Sequence, residues 1–258
     1  DLQRCAAIAD ATPRLACYDT LSGRLSAPPA APATTAATRE PRPTSELSRY
    51  WELDPEDQRG ELRFVSYRPN YILPLHVTSR INRAPQSPTQ AAVAMPDYQR
   101  VEAKFQLSLR TKLVQNAFDS GADLWAGFTQ QALWQVFNGQ DSAPFRNTDY
   151  EPELMLVLPT RPAWRGLPGG WQWRYTQFGV AHQSNGQSDP LSRSWNRVYL
   201  AGGIEQGPWS LTAKVTQRLN EPVETDNNPD LASYRGRAEL RLRWYVQAFS
   251  GYGETLTD

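Results

Sequence analysis

Tyr175-Thr176-Gln177-Phe178-Gly179-Val180-Ala181-His182-Gln183-Ser184-Asn185-Gly186 decides how this chain is read. On an extended chain successive side chains point to opposite sides, so Thr176, Phe178, Val180, His182 and Ser184 share one face while Tyr175, Gln177, Gly179 and Ala181 take the other. A base therefore sits beside a hydroxyl nucleophile, and both lie on the apolar side. In the next stretch the same parity groups Asn196 with Val198 and Leu200 and leaves Arg197 and Tyr199 opposite. Polar groups with the chemistry of a hydrolase thus stand on a surface otherwise made of hydrocarbon. That suits a substrate arriving through lipid; a hydrolase of soluble substrates places such groups in a polar cleft.

Outward from this run the alternation continues. Phe105, Leu107 and Leu109 oppose Gln106, Ser108 and Arg110; Trp209, Leu211, Ala213 and Val215 oppose Ser210, Thr212, Lys214 and Thr216; Ala238, Leu240, Leu242 and Trp244 oppose Glu239, Arg241 and Arg243. One wall is apolar and the other charged, a pattern shared by membrane barrels and by sheets packed on a soluble core. No stretch approaches the ~18 consecutive apolar residues of a membrane-spanning helix. The mean hydropathy of -0.61 is that of a polar chain, but alternation hides a lipid-facing wall from such averages. Nine Trp and eleven Tyr suit a membrane interface or a β core. With 27 Lys and Arg against 27 Asp and Glu there is no basic field to recruit nucleic acid.

The chain opens without Met and without a charged-then-apolar leader, so an export signal was removed or not included. Residues 1–25 form a small segment containing both cysteines, Cys5 and Cys17, which are either a disulfide closing a short loop in an oxidising compartment or two buried thiols. Residues 26–45, rich in Pro, Ala and Thr, read as an extended linker. A short helix is expected to begin within Glu46 to Asp57, with Ser45 and Ser48 as candidate caps. Residues 46–258 carry the alternating segments, about nine in number.

The run from His182 through Gly186, Gln187, Asp189, Ser192 and Asn196 to Tyr199 closely resembles the signature of the outer-membrane phospholipase A family of Gram-negative bacteria. The resemblance extends more loosely from about Arg63 through Lys104 to Leu109, Ser142 to Arg146 and Tyr150 to Pro152, and ends at Ser250 to Glu254. It implies an all-β fold, an antiparallel transmembrane β-barrel of twelve strands, integral to the outer membrane with the N-terminal segment in the periplasm. Against that pattern about three strands would be lacking on the C-terminal side, since Trp244 runs almost directly into the Ser250 to Glu254 stretch. Export would favour the disulfide.

The resemblance also implies a site. Ser184 would be the nucleophile, His182 the general base and Asn196 the group that fixes the imidazole tautomer. The Gly186 N–H would stabilise the oxyanion. Calcium would be held by the Gln187 carbonyl and the Ser192 hydroxyl, with Ser142 supplied by a second subunit and Asp189 a candidate for another calcium site. The family has arginine where this chain has Gln187, an exchange that a carbonyl ligand survives. Gln130 would lie in a homodimer interface, and membrane phospholipids and lysophospholipids would be the substrates, cleaved at both glycerol positions.

Taken without that resemblance, His-x-Ser in a β protein is usually incidental. There is no Gly-x-Ser-x-Gly elbow to suggest an α/β-hydrolase. His76 reads as structural, Ser142 as a turn residue and Gln130 as an ordinary polar position. The competing readings are a non-catalytic, porin-like outer-membrane barrel and a soluble ligand-binding β-sandwich.

Overall fold

The computed structural model describes residues 2–21, 45–140, 142, 144–222 and 226–245. The expected linker, Ser45 excepted, and the Ser250 to Glu254 stretch lie outside them. Two compact units are present, residues 1–44 and 45–258.

In the first unit, α1 (Leu2–Ala6) and α2 (Ala11–Leu21) are joined by a disulfide between Cys5 and Cys17, whose Cα atoms are 5.5 Å apart. Helices of five and eleven residues are too short to hold by themselves in water. The cross-link supplies what so small a unit cannot gain from burial, and Cys5 is its buried residue.

The second unit opens with α3 (Glu46–Trp51) and continues through β1 (Val65–Ser66), β2 (Tyr71–Val77), β3 (Val101–Ala117), β4 (Ala122–Trp134), β5 (Phe145–Pro159), β6 (Gln172–Ser184), β7 (Ser194–Gln206), β8 (Trp209–Arg218), α4 (Leu231–Arg235) and β9 (Ala238–Trp244). The nine strands among the described residues lie in one antiparallel sheet, ordered β1-β3-β4-β5-β6-β7-β8-β9, with β2 also on β3. Strands β3 to β7 run 13 to 17 residues, beyond the ~9–11 that cross a bilayer. Among the described residues β9 pairs with β8 alone, so the sheet is an open, curled part of a barrel.

Its two faces reverse the soluble pattern. Phe178, Val180, Leu200 and Val215 are 54, 48, 43 and 55% exposed, whereas Gln177, Arg197 and Glu153 on the other face are 4, 5 and 3% exposed. A soluble sandwich buries the hydrocarbon and wets the charge. Here the hydrocarbon faces outward, which removes the sandwich reading and makes the apolar wall the lipid contact. Among the described residues no helix is long and apolar enough to cross a membrane.

The inner face is packed by the segment that precedes the sheet. The Ser45 hydroxyl caps α3 by accepting the Ser48 N–H at 2.9 Å. Ser48, the other expected cap, is instead buried and accepts the Asp54 N–H at 2.9 Å. Trp51 meets Tyr67 and Trp125 edge-on, at 6.1 and 5.8 Å between ring centres, and leans on Tyr175. The Arg110 guanidinium lies 3.6 Å from the centre of the Tyr50 ring. Two further buried cations here are paired with carboxylates, as low dielectric favours: Lys112 Nζ lies 2.9 Å from Glu52 and 2.7 Å from Asp123, and Arg174 bridges Asp54 at 2.5 Å and Glu205 at 3.0 Å. Gly179 leaves the space that the Tyr199 ring fills, since a Cβ there would overlap that ring. The ring's hydroxyl is thereby aimed at Glu153, 2.9 Å away.

Candidate active site

Strands β6 and β7 pair antiparallel in the register His182↔Asn196 and Ser184↔Ser194. Directly opposed residues on one face bring their side chains together, and His182 Nδ1 lies 2.9 Å from Asn196 Oδ1. An amide oxygen only accepts, so Nδ1 carries the proton and Nε2 is left with its lone pair directed elsewhere. His182 is exposed and Ser184 and Asn196 are half-buried, all three on the outward apolar wall beside Phe178, Val180 and Leu200. No hydrogen bond joins the Ser184 hydroxyl to the imidazole among the described residues. Such contacts often tighten only when substrate is bound.

The β6–β7 connection is built by a residue that sequence reading passed over. Asn185 is buried and turns the chain back on itself: its N–H donates to the Arg193 carbonyl at 2.9 Å, its Oδ1 accepts the N–H groups of Arg193 at 2.9 Å and Gln187 at 3.3 Å, and its Nδ2 donates to the Leu191 carbonyl at 2.8 Å. The only sequence cue was the habit of asparagine to fold turns around its own side chain. Gly186 follows with φ +64°, where a Cβ would press on the Tyr150 ring at 3.0 Å.

This turn carries Gln187, Asp189 and Ser192 together. The Ser192 hydroxyl accepts from Asn227 Nδ2 at 2.9 Å, and Asn227 Oδ1 accepts the Ser194 N–H at 3.0 Å, so the chain after β8 braces the turn from a second side. Asp189 is exposed and accepts from Gln90 Nε2 at 3.1 Å. Ser142 belongs to a different loop, the β4–β5 connection, where it is exposed with φ +50°. Among the described residues no cluster of three or more His, Cys, Asp or Glu side chains is placed to hold a metal ion. The oxygen donors that do share the turn are a carbonyl, a hydroxyl and one carboxylate, a set that fits a hard cation tolerant of neutral ligands and water.

Gln130 is half-buried on the outward face of β4, paired with Leu107 of β3 and Tyr150 of β5. His76, read as structural, has its Nδ1 3.6 Å from Glu102, a buried carboxylate held by both nitrogens of the Arg146 fork at 2.9 and 2.7 Å and by the Thr78 hydroxyl at 2.8 Å. Glu221, unremarked in the sequence, accepts from Asn196 Nδ2 at 3.0 Å.

An antiparallel sheet with its hydrocarbon outward and its ions inward belongs to the class of membrane β-barrels. Within that class the chain has specific relatives. Residues 47–244 match the family model described as phospholipase A1. The putative phospholipase A1 of Neisseria meningitidis serogroup B is 40% identical over 203 residues, 77% of this chain and 52% of that protein. The phospholipase A1 of Klebsiella pneumoniae is 32% identical over 239 residues, covering 79% of this chain and 80% of that one. Among solved structures, the outer membrane phospholipase A of Escherichia coli superimposes with a TM-score of 0.59 at 33% identity, covering 71% of this chain and 72% of that one. The Salmonella typhi outer membrane phospholipase, a dimer with bound calcium, does so with a TM-score of 0.60 at 32% identity over 73% and 70%.

The chain belongs to the phospholipase A1 family, a family of carboxylic ester hydrolases, and its described strands form an open part of the integral outer-membrane β-barrel of that family. It spans about half the length of the meningococcal relative.

Proposed function

We propose that this chain is a calcium-dependent phospholipase that hydrolyses the acyl esters at both glycerol positions of phospholipids, and those of lysophospholipids, by a Ser184–His182–Asn196 mechanism. The observation that carries the reading is the His182 Nδ1 to Asn196 Oδ1 contact of 2.9 Å on the lipid-facing wall. With Nδ1 protonated, Nε2 is the base. The Ser184 hydroxyl attacks the ester carbonyl carbon and its proton passes to Nε2; that proton then goes to the oxygen of the departing alcohol. Water repeats the sequence on the acyl-serine and releases the fatty acid.

Asparagine orients the imidazole without adding a negative charge, so it stabilises the imidazolium less than aspartate does. The Gly186 N–H, presented by its left-handed turn, is the protein's own donor to the developing oxyanion. The Gln187 carbonyl, the Ser192 hydroxyl and Ser142 of a second copy would hold calcium, with Asp189 available to a further ion. A calcium ion held by these groups would supply positive charge to stabilise the oxyanion. The calcium-bound dimer of the Salmonella relative supports a bound calcium ion and a homodimer. Gln130, on the outward wall, is the polar group we assign to the subunit contact, where one buried amide fixes register against its symmetry mate.

Fatty-acid release from mixed phospholipid–detergent micelles, with calcium or with chelator, tests the reading when the chain is compared with Ser184→Ala. Calcium-dependent release lost in the variant is expected. No release from the folded chain would leave the porin-like barrel in its place.

A further inference from the structure

We infer that Glu221 is a positioning residue that selects the working orientation of the Asn196 amide and, through it, the tautomer of His182. The inference rests on the Ser184–His182–Asn196 reading above.

An asparagine has a built-in ambiguity. Its side chain is a donor at one end and an acceptor at the other, and the two ends are nearly the same shape. Turned over, Asn196 would offer an N–H to His182 Nδ1. That would stabilise the tautomer with its proton on Nε2, which has no lone pair to take the proton of Ser184. An aspartate in that place would have no wrong way round. An enzyme that uses asparagine therefore needs a further group to choose.

Glu221 is chemically suited to choose. An ionised carboxylate accepts and never donates, so the partner 3.0 Å from its Oε1 is the amide nitrogen, Nδ2 of Asn196. That leaves Oδ1 for His182, 2.9 Å away. The chain of roles then has one solution: carboxylate, amide N–H, amide oxygen, Nδ1–H, and a free lone pair on Nε2. The backbone delivers Glu221 to this place. Strand β8 stays in register with β7 as far as Arg197↔Arg218, and the Leu219 N–H then donates to the carbonyl of Asn196 itself at 2.8 Å. Residues 219–221 thus run alongside the amide they direct. Glu221 is half-buried, and the Asn196 contact is the hydrogen bond its carboxylate makes among the described residues.

The test is a set of variants assayed for calcium-dependent release from phospholipid–detergent micelles, with kcat and KM separated. Glu221→Gln restores the ambiguity, since its own amide can face Asn196 either way. It is expected to lower kcat roughly 10-fold, the worth of one charge-assisted hydrogen bond, with little change in KM. Glu221→Ala is expected to do the same or more. The decisive background is Asn196→Asp, in which the residue at 196 needs no direction and a carboxylate at 221 opposes it. There Glu221→Gln is expected to leave kcat unchanged or raise it, inverting the sign seen in the native background. Equal losses in both backgrounds would mean that Glu221 only supports the loop, and wild-type kcat in both Glu221→Gln and Glu221→Ala would also overturn the inference. Failure of the underlying reading looks different: Ser184→Ala and Asn196→Ala would then retain full activity.

Discussion

Gln130 and Ser184 lie in one cross-strand row with Tyr150 alone between them, because Gln130 pairs with Tyr150 and Tyr150 with Ser184. At about 4.8 Å per strand their backbones are roughly 10 Å apart. The residue assigned to the subunit contact and the assigned nucleophile thus share a face, so a second copy seated on Gln130 reaches the edge of the site.

Gln130→Ala is therefore expected to weaken the dimer by about 3- to 20-fold, the range measured for one polar contact within a membrane. Sedimentation in detergent micelles reads this directly. Activity per chain should fall at low protein concentration and recover at high concentration. A loss that concentration does not restore would place Gln130 outside the interface.

Gly186→Ala forces a side chain into left-handed backbone and against the Tyr150 ring. About 1–3 kcal/mol of local strain is expected, relieved by turning the N–H away from the site. The expected result is kcat lower by about 100- to 1000-fold, with the fold intact by tryptophan fluorescence.

Asn185→Ala removes the side-chain bonds that close the β6–β7 turn. Each is worth about 1 kcal/mol, and Gln187 and Ser192 hang from them. More calcium should be needed for half-maximal activity in this variant than in the native chain. An unchanged calcium requirement would show that the turn holds its shape without Asn185.

Gly179→Ala places a methyl group where the Tyr199 ring lies. Overpacking of this kind costs about 1–3 kcal/mol, and it also pulls the Tyr199 hydroxyl from Glu153. A lower midpoint in urea unfolding from micelles is expected, with Gly179→Ala/Tyr199→Ala recovering part of the loss because the smaller side chain vacates the space.

Acid should release the segment that packs the inner face. Burial acts to raise the Asp54 pKa, but hydrogen bonds and charge from Arg174 and then Arg165 outweigh it and hold the carboxyl below its ordinary value. A carboxyl lowered in the folded state contributes stability above its unfolded pKa of about 3.9 and loses it as pH falls through the lower folded value. Asp54→Asn should be less stable than the native chain at pH 7, and the difference should shrink below about pH 4. Glu52, where burial is likewise outweighed by Lys112 and Arg59, shifts in the same direction.

Much of the architecture was legible because strand geometry is local. Period-two alternation assigns each side chain to a face with no knowledge of what lies opposite. So the apolar wall carrying His182, Ser184 and Asn196 was visible in the sequence, as was the likeness of the 182–199 run to phospholipase A. Alternation does not say which face meets water, and the exposure of Phe178 beside the burial of Gln177 settled that. Nor does it reveal pairing between distant residues. Asn227 bracing Ser192, Arg174 clamping Asp54, and Glu221 beside Asn196 follow from cross-strand register and from loops folded back over the sheet. The strands and the parity that groups His182 with Ser184 could be read from the chain alone, since each depends on neighbours one or two residues away. Only the tertiary structure decided which acceptor meets which donor, since that depends on long-range pairing of β6, β7 and β8 that no local pattern encodes.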